Sequence, residues 1–199
     1  MNPLLIRRRG MMKAQQGGLP YDAEIEYLKS DGNQKIITPI TGTENVKIEL
    51  RYKLTDTSHT SYILGTSESS ENTTIRCYIA NSSNWRFGGR LRQMSVRNTN
   101  WYTLTIDKNT ITLNGTNYPW NSGSVGTFSD GKIALFGLRT HLTGYPSIVS
   151  YCTIYDNGIL VFDAIPVRIG QVGYMYDQVS GQLFGNDGTG SFTLGPDVP

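Results

Sequence analysis

At 199 residues the chain is long enough for one domain with a substantial core, and twelve tyrosines, twenty-two glycines and a formal net charge of +2 exclude a highly charged disordered chain. Arg7, Arg8, Arg9 and Lys13 hold four of the positive charges, so the remaining residues sum to about 2 − 4 = −2, which excludes a generic polyanion binder and leaves sequence-specific nucleic-acid recognition without support. No apolar run approaches a membrane span, and Leu4-Leu5-Ile6 precedes the basic residues, the reverse of a secretory signal, so the expectation is that, if the protein acts outside a cell, it leaves by another route.

Residues 1–19 read as a flexible basic arm that closes at Gln15-Gln16-Gly17-Gly18 and Pro20, either a disordered tail or a docking peptide that orders on a partner through Arg7, Arg8, Arg9 and Lys13. Residues 20–199 read as one all-β domain. Val46, Ile48, Leu50, Tyr52 and Leu54 alternate with Lys47, Glu49, Arg51 and Lys53, the period of a half-buried strand. Further strands are predicted at 23–28, 34–38, 61–66, 74–80, 101–107, 110–114, 131–138, 148–156, 159–165, 172–177 and 190–194, with hairpin turns at Asp107–Thr110 and Asp156-Asn157-Gly158. More than ten short strands and no long helical period predict a two-sheet antiparallel jelly-roll sandwich with its terminal strands close together.

Between Asn72 and Ile106 the chain has five arginines (Arg76, Arg86, Arg90, Arg92, Arg97) and no Asp, Glu or Lys. Trp85-Arg86-Phe87-Gly88-Gly89-Arg90-Leu91-Arg92 reads as a hairpin that sets Phe87 opposite Arg90 and Trp85 opposite Arg92 on one face. Such a face is either a self-shielding cation–π ladder or a platform for a sugar, an anionic ligand or a partner surface. Trp120 follows Pro119 beside a Ser/Gly loop and is either an exposed ring or a plug over the core. The candidate ligand-binding residues are Trp85, Arg86, Phe87, Arg90, Arg92, Trp120, Asn121, His141 and Tyr145, because aromatic faces stack on sugar C–H groups while planar polar groups bond hydroxyls.

Catalytic chemistry finds little to use. Retaining glycosidases need two carboxylates about 5 Å apart, and the nearest pair, Glu24 and Glu26, lies in the opening strand without a third acid. There is no G-x-S-x-G, and His59 and His141 sit in Thr/Ser-rich loops. Cys77 and Cys152 lack metal-ligand spacing and are expected to be buried and reduced, while Asp187 with Asn186 supplies a single carboxylate for Ca²⁺. No enzyme activity, metal or cofactor is expected.

Two stretches resemble a known family. Tyr21-Asp22-Ala23-Glu24-Ile25-Glu26-Tyr27-Leu28-Lys29-Ser30-Asp31-Gly32-Asn33-Gln34-Lys35-Ile36-Ile37-Thr38 is similar to the opening of concanavalin A-like (laminin-G-like) jelly-roll modules of gut Bacteroidales and their phages. Ile165-Pro166-Val167-Arg168, Gly173-Tyr174-Met175-Tyr176-Asp177 and Phe184-Gly185-Asn186-Asp187-Gly188-Thr189-Gly190-Ser191-Phe192 resemble its closing pattern, and Met1–Arg9 resembles the start of such proteins in phages or prophages. The resemblance spans roughly residues 21–195 and implies the fold. It also implies a non-catalytic binding or structural module, foremost a virion-associated head or tail decoration with lectin-like capacity. A bacterial surface lectin domain is the alternative, and a glycoside hydrolase of the same fold stands behind both. The partners implied are a glycan, a neighbouring virion or surface protein, or a second copy of the chain.

Overall fold

The apolar–charged alternation of residues 46–54 can be satisfied only by a strand with one dry face and one wet face, and in a computed structural model of the chain it forms the longest uninterrupted alternation of buried and half-buried positions. The structure describes residues 18–58, 61–66, 74–79, 83–94, 98–126, 128, 131–139 and 146–199. Its strands are β1 (Ala23–Glu24), β2 (Leu28–Ser30), β3 (Ile36–Thr41), β4 (Val46–Leu54), β5 (Ser61–Gly65), β6 (Ile75–Ile79), β7 (Ser83–Phe87), β8 (Arg90–Met94) and β9 (Trp101–Ile106). There follow β10 (Thr110–Leu113), β11 (Thr116–Pro119), β12 (Lys132–Leu135), β13 (Ser147–Asp156), β14 (Ile159–Ile169), β15 (Val172–Asp177), β16 (Gln182–Phe184) and β17 (Thr193–Leu194). Among the described residues there is no helix.

The strands form two antiparallel sheets, which make a β-sandwich. The eleven-stranded sheet runs β11-β10-β9-β4-β13-β14-β15-β16, with β2 beside the first part of β13, β17 beside β2 and β1 beside β14. The six-stranded sheet runs β3-β12-β5-β6-β7-β8. Ile48, Leu50 and Tyr52 from the first and Ile75, Cys77, Trp85 and Phe87 from the second are fully buried in one apolar cluster. Burial of such side chains contributes roughly 1.5–3 kcal/mol each relative to exposure. Cys77 and Cys152, one in each sheet, are buried free thiols, and burial pushes the Cys77 thiol well above its ordinary range, which keeps it unreactive.

The expected closeness of the terminal strands holds: Thr193 lies opposite Lys29 and Leu194 opposite Leu28, and Ile25 bridges to Asp197. The expected strand 23–28 divides into β1 and β2, since its first half pairs with β14 and its second with β13. Two strands were not legible. β11 carries exposed polar residues and a proline and exists because Asn114 and Gly115, both at positive φ (49° and 84°), fold the chain back on β10. β16 is three residues long and pairs only with the end of β15. Residues 1–17 of the expected arm, with Arg7, Arg8, Arg9 and Lys13, lie outside the described residues.

Candidate functional site

The arginine–aromatic hairpin has the expected register but the opposite orientation. Trp85 lies opposite Arg92 and Phe87 opposite Arg90, yet Trp85 and Phe87 are 0% exposed. Their shared face is the inner face of the six-stranded sheet, because Cys77 and Ile75 continue the same rows into the core. The exposed platform expected from Trp85 and Phe87 is therefore corrected: both rings are core, and burial of large aromatic area outweighs any solvent-facing ladder. Arg90 and Arg92 sit on that face at the edge strand, where it runs out toward solvent. The Arg92 guanidinium donates to the Pro119 carbonyl at 3.0 Å and lies 5.6 Å from the Tyr118 ring, so it straps β8 to β11 and closes one side of the sandwich.

Trp120 is the plug of the two readings. It packs on the core with its ring 6.3 Å from Phe87, and its Nε1–H donates to the Asp107 carbonyl at 3.1 Å. Asn121 is exposed, and its backbone N–H bonds Leu91 at 2.9 Å, so the segment after Trp120 covers the edge of β8. Arg86 faces outward, directly opposite Arg76 on β6. His141 and Tyr145 lie outside the described residues. Asn186 and Asp187 serve structure: the Asn186 side-chain oxygen accepts from the Lys35 and Gly188 backbone at 3.1 and 2.8 Å, and Asp187 lies 3.7 Å from the Lys35 ammonium. Among the described residues no three His, Cys, Asp or Glu groups gather as metal ligands.

One concavity has a lining of mixed polar and apolar character. Three turns meet at one end of the eleven-stranded sheet, those before β4, between β9 and β10, and between β13 and β14. They enclose a cleft of about 530 Å³ lined by Glu44, Asn45, Lys47, Lys108, Asn109 and Tyr155, among others. The turns are tied together, since the Asn157 backbone N–H donates to the Asn45 carbonyl at 3.2 Å and Lys108 Nζ reaches Asn45 Oδ1 at 3.4 Å. Asp107 is occupied with its own turn, accepting the Asn109 and Thr110 backbone N–H groups at 2.6 and 2.9 Å. On the floor, the Lys47 ammonium lies 5.0 Å from the Tyr155 ring and 2.7 Å from Glu49. The hydrogen bond from Lys47 to Glu49 holds the lysine's proton and raises its pKa. The lining thus combines Asn45, Asn109 and Asn157, the carboxylates of Glu44 and Asp107, two lysines and Tyr155, whose ring has the Lys47 ammonium over it, a mixture of donors and acceptors suited to hydroxyl groups.

A second, half-buried set on the same sheet escaped sequence reading. Strand register places Trp101 (β9) opposite Lys53 (β4), Lys53 opposite Ile148 (β13) and Ile148 opposite Lys29 (β2), all on the outer face. In the next outward row Arg51 lies between Thr103 and Tyr151. The Arg51 guanidinium rests over the Trp101 ring at 5.0 Å. Asn114 anchors that end of β9: its side chain accepts the Thr103 N–H at 2.8 Å and donates to the Trp101 carbonyl at 3.3 Å. The signal was present in the alternation of residues 46–54, but its partners come from β2, β9 and β13, which no local pattern joins to it. No protein-family model matches the sequence, and no curated protein matches it.

Proposed function

We propose that this chain is a non-catalytic binding and structural module of jelly-roll, concanavalin A-like type, that it decorates a virion, and that its cleft around Tyr155 holds a glycan. One observation carries the binding reading: a cleft of about 530 Å³ is lined by three asparagines, two lysines and a tyrosine. Sugars are held by that combination, an aromatic surface for C–H groups and planar polar groups for hydroxyls. The two antiparallel sheets with paired terminal strands accord with a jelly roll. The virion setting rests on the resemblance of the opening and closing stretches to phage-borne modules, and a surface lectin is the alternative.

A glycan array with the purified protein tests the cleft. Parent protein should retain one family of glycans, and Tyr155→Ala or Asn157→Ala should lose roughly ten-fold in affinity for them, the loss of about 1.4 kcal/mol of contact. A blank array, or equal retention by parent and both variants, removes the reading. Mass spectrometry of purified particles from the source host addresses the setting: its presence there supports decoration, and its presence only on cell surfaces supports the lectin.

A further inference from the structure

We propose that the outer face of the eleven-stranded sheet, at Lys29, Arg51, Lys53, Trp101 and Tyr151, binds a carboxylate-bearing sugar chain, at a site separate from the cleft. Three cations share two neighbouring rows of one face, and no ion pair found among the described residues includes any of them. Lys53 and Lys29 flank Ile148 across two strand spacings, about 10 Å between backbones. They therefore present charges at intervals along a line that a single small anion would not span.

Arginine stacking defines the preferred anion. The Arg51 guanidinium lies over the Trp101 ring at 5.0 Å, and a guanidinium held in place in this way is suited to pair with a planar carboxylate by two parallel hydrogen bonds. Tyr151 lies directly opposite Arg51, a ring beside the fork on which a sugar can rest. Duplex nucleic acid fits less well. One row further along the strands stand Glu49 and Asp163, joined through Thr153, whose hydroxyl donates to Asp163 at 2.7 Å. Glu49, about 7 Å along the strand from Arg51, and Asp163, two strands further across, repel a continuous phosphate backbone, whereas a chain with one charge per sugar can be laid along the cationic rows alone.

The site is tested by titrating the full chain with polygalacturonate, following tryptophan emission and heat, with neutral dextran, dextran sulfate and duplex DNA as comparators. Trp85 is fully buried and Trp120 packs on the core, so the emission change should come from Trp101. Polygalacturonate is expected to bind, to weaken as salt rises, and to lose ten-fold or more in affinity in Arg51→Ala/Lys53→Ala. Lys132→Ala, on the other sheet, should bind as the parent does. Lys29→Glu, a surface change that leaves folding intact, should weaken binding as well, so a poorly folded double variant would not decide the matter. Absence of binding, equal affinity in parent and Lys29→Glu, or equal affinity for dextran sulfate or DNA would overturn the proposal. Retention of neutral glycans by the cleft is measured separately and neither rescues nor sinks it.

Discussion

Two places in this molecule set an arginine beside a tryptophan, and they do opposite work. In the hairpin of β7 and β8, Trp85 points into the core and its cross-strand neighbour Arg92 turns to the sandwich edge, where Tyr118 and the Pro119 carbonyl take it up. On the outer face of the other sheet, Arg51 lies over a half-exposed Trp101 with Lys53 and Tyr151 alongside. The first pair is close in sequence and serves closure. The second is assembled from distant strands and remains half-exposed. Density of a residue type along the chain therefore reports a strand's composition, and only register reports which face that composition serves.

The sharpest way to break this contrast is to remove both indoles. Trp85→Ala should destabilise the fold by roughly 3–5 kcal/mol, the range for deleting a buried large aromatic with little room to collapse. Trp101→Ala should lose less than about 1.5 kcal/mol, the Arg51 stacking and partial burial together. Urea unfolding measures both. Equal losses would mean that Trp101 is core in solution and that the open face does not exist.

Legibility followed the same line. The alternation of residues 46–54 and the hairpin turn at Asn157-Gly158 could be read directly, because period and turn chemistry are local signals, and the closeness of the terminal strands β2 and β17 followed from the expected fold. The register of Trp85 with Arg92 was also local and came out as expected. What failed was the face. Cys77 and Ile75 lie beside Trp85 and Phe87 on β6, and that neighbour, not the hairpin itself, decides that the rings go inward. The cleft was hidden for a related reason, since its three turns are far apart in sequence and each reads alone as an ordinary polar turn.

A second test acts on the closure of the hairpin side. Gly88 sits at φ 59°, and a Cβ there would stand 1.8 Å from the Val125 carbonyl oxygen, a backbone atom that cannot swing away. Gly88→Ala should therefore lower stability by about 2–4 kcal/mol, combining the left-handed strain with displacement of the covering segment. Arg92→Ala, which removes the strap but leaves the backbone alone, should lose only about 1 kcal/mol. Thermal melts in that order would place closure in the close backbone approach more than in the cation, and a larger loss for Arg92→Ala would reverse the ranking.

The smallest effect concerns the clamp at the chain's end. Arg168 donates to both carboxylate oxygens of Asp197 at 2.7 and 2.6 Å, and this hydrogen bonding holds the Asp197 carboxyl below its usual range. A carboxyl with a depressed folded pKa stabilises the structure above its unfolded pKa, and that contribution fades as pH falls through the folded value. The pair is exposed, so the whole fold should scarcely respond. The local consequence is specific, because the backbone bonds beside Asp197 include the Gly195 N–H to the Tyr27 carbonyl at 2.9 Å, the Glu26 N–H to the Pro196 carbonyl at 2.9 Å and the Val198 N–H to the Glu24 carbonyl at 2.8 Å, of which the first and last report from the C-terminal segment's own amides. Hydrogen exchange at those two amides should accelerate on acidification below the ordinary carboxylate range while the amides of β4 stay protected. Asp197→Asn should exchange quickly there at every pH. If parent and variant show the same pH dependence, the C-terminal segment is held by its backbone bonds alone and the Arg168 clamp contributes nothing to it.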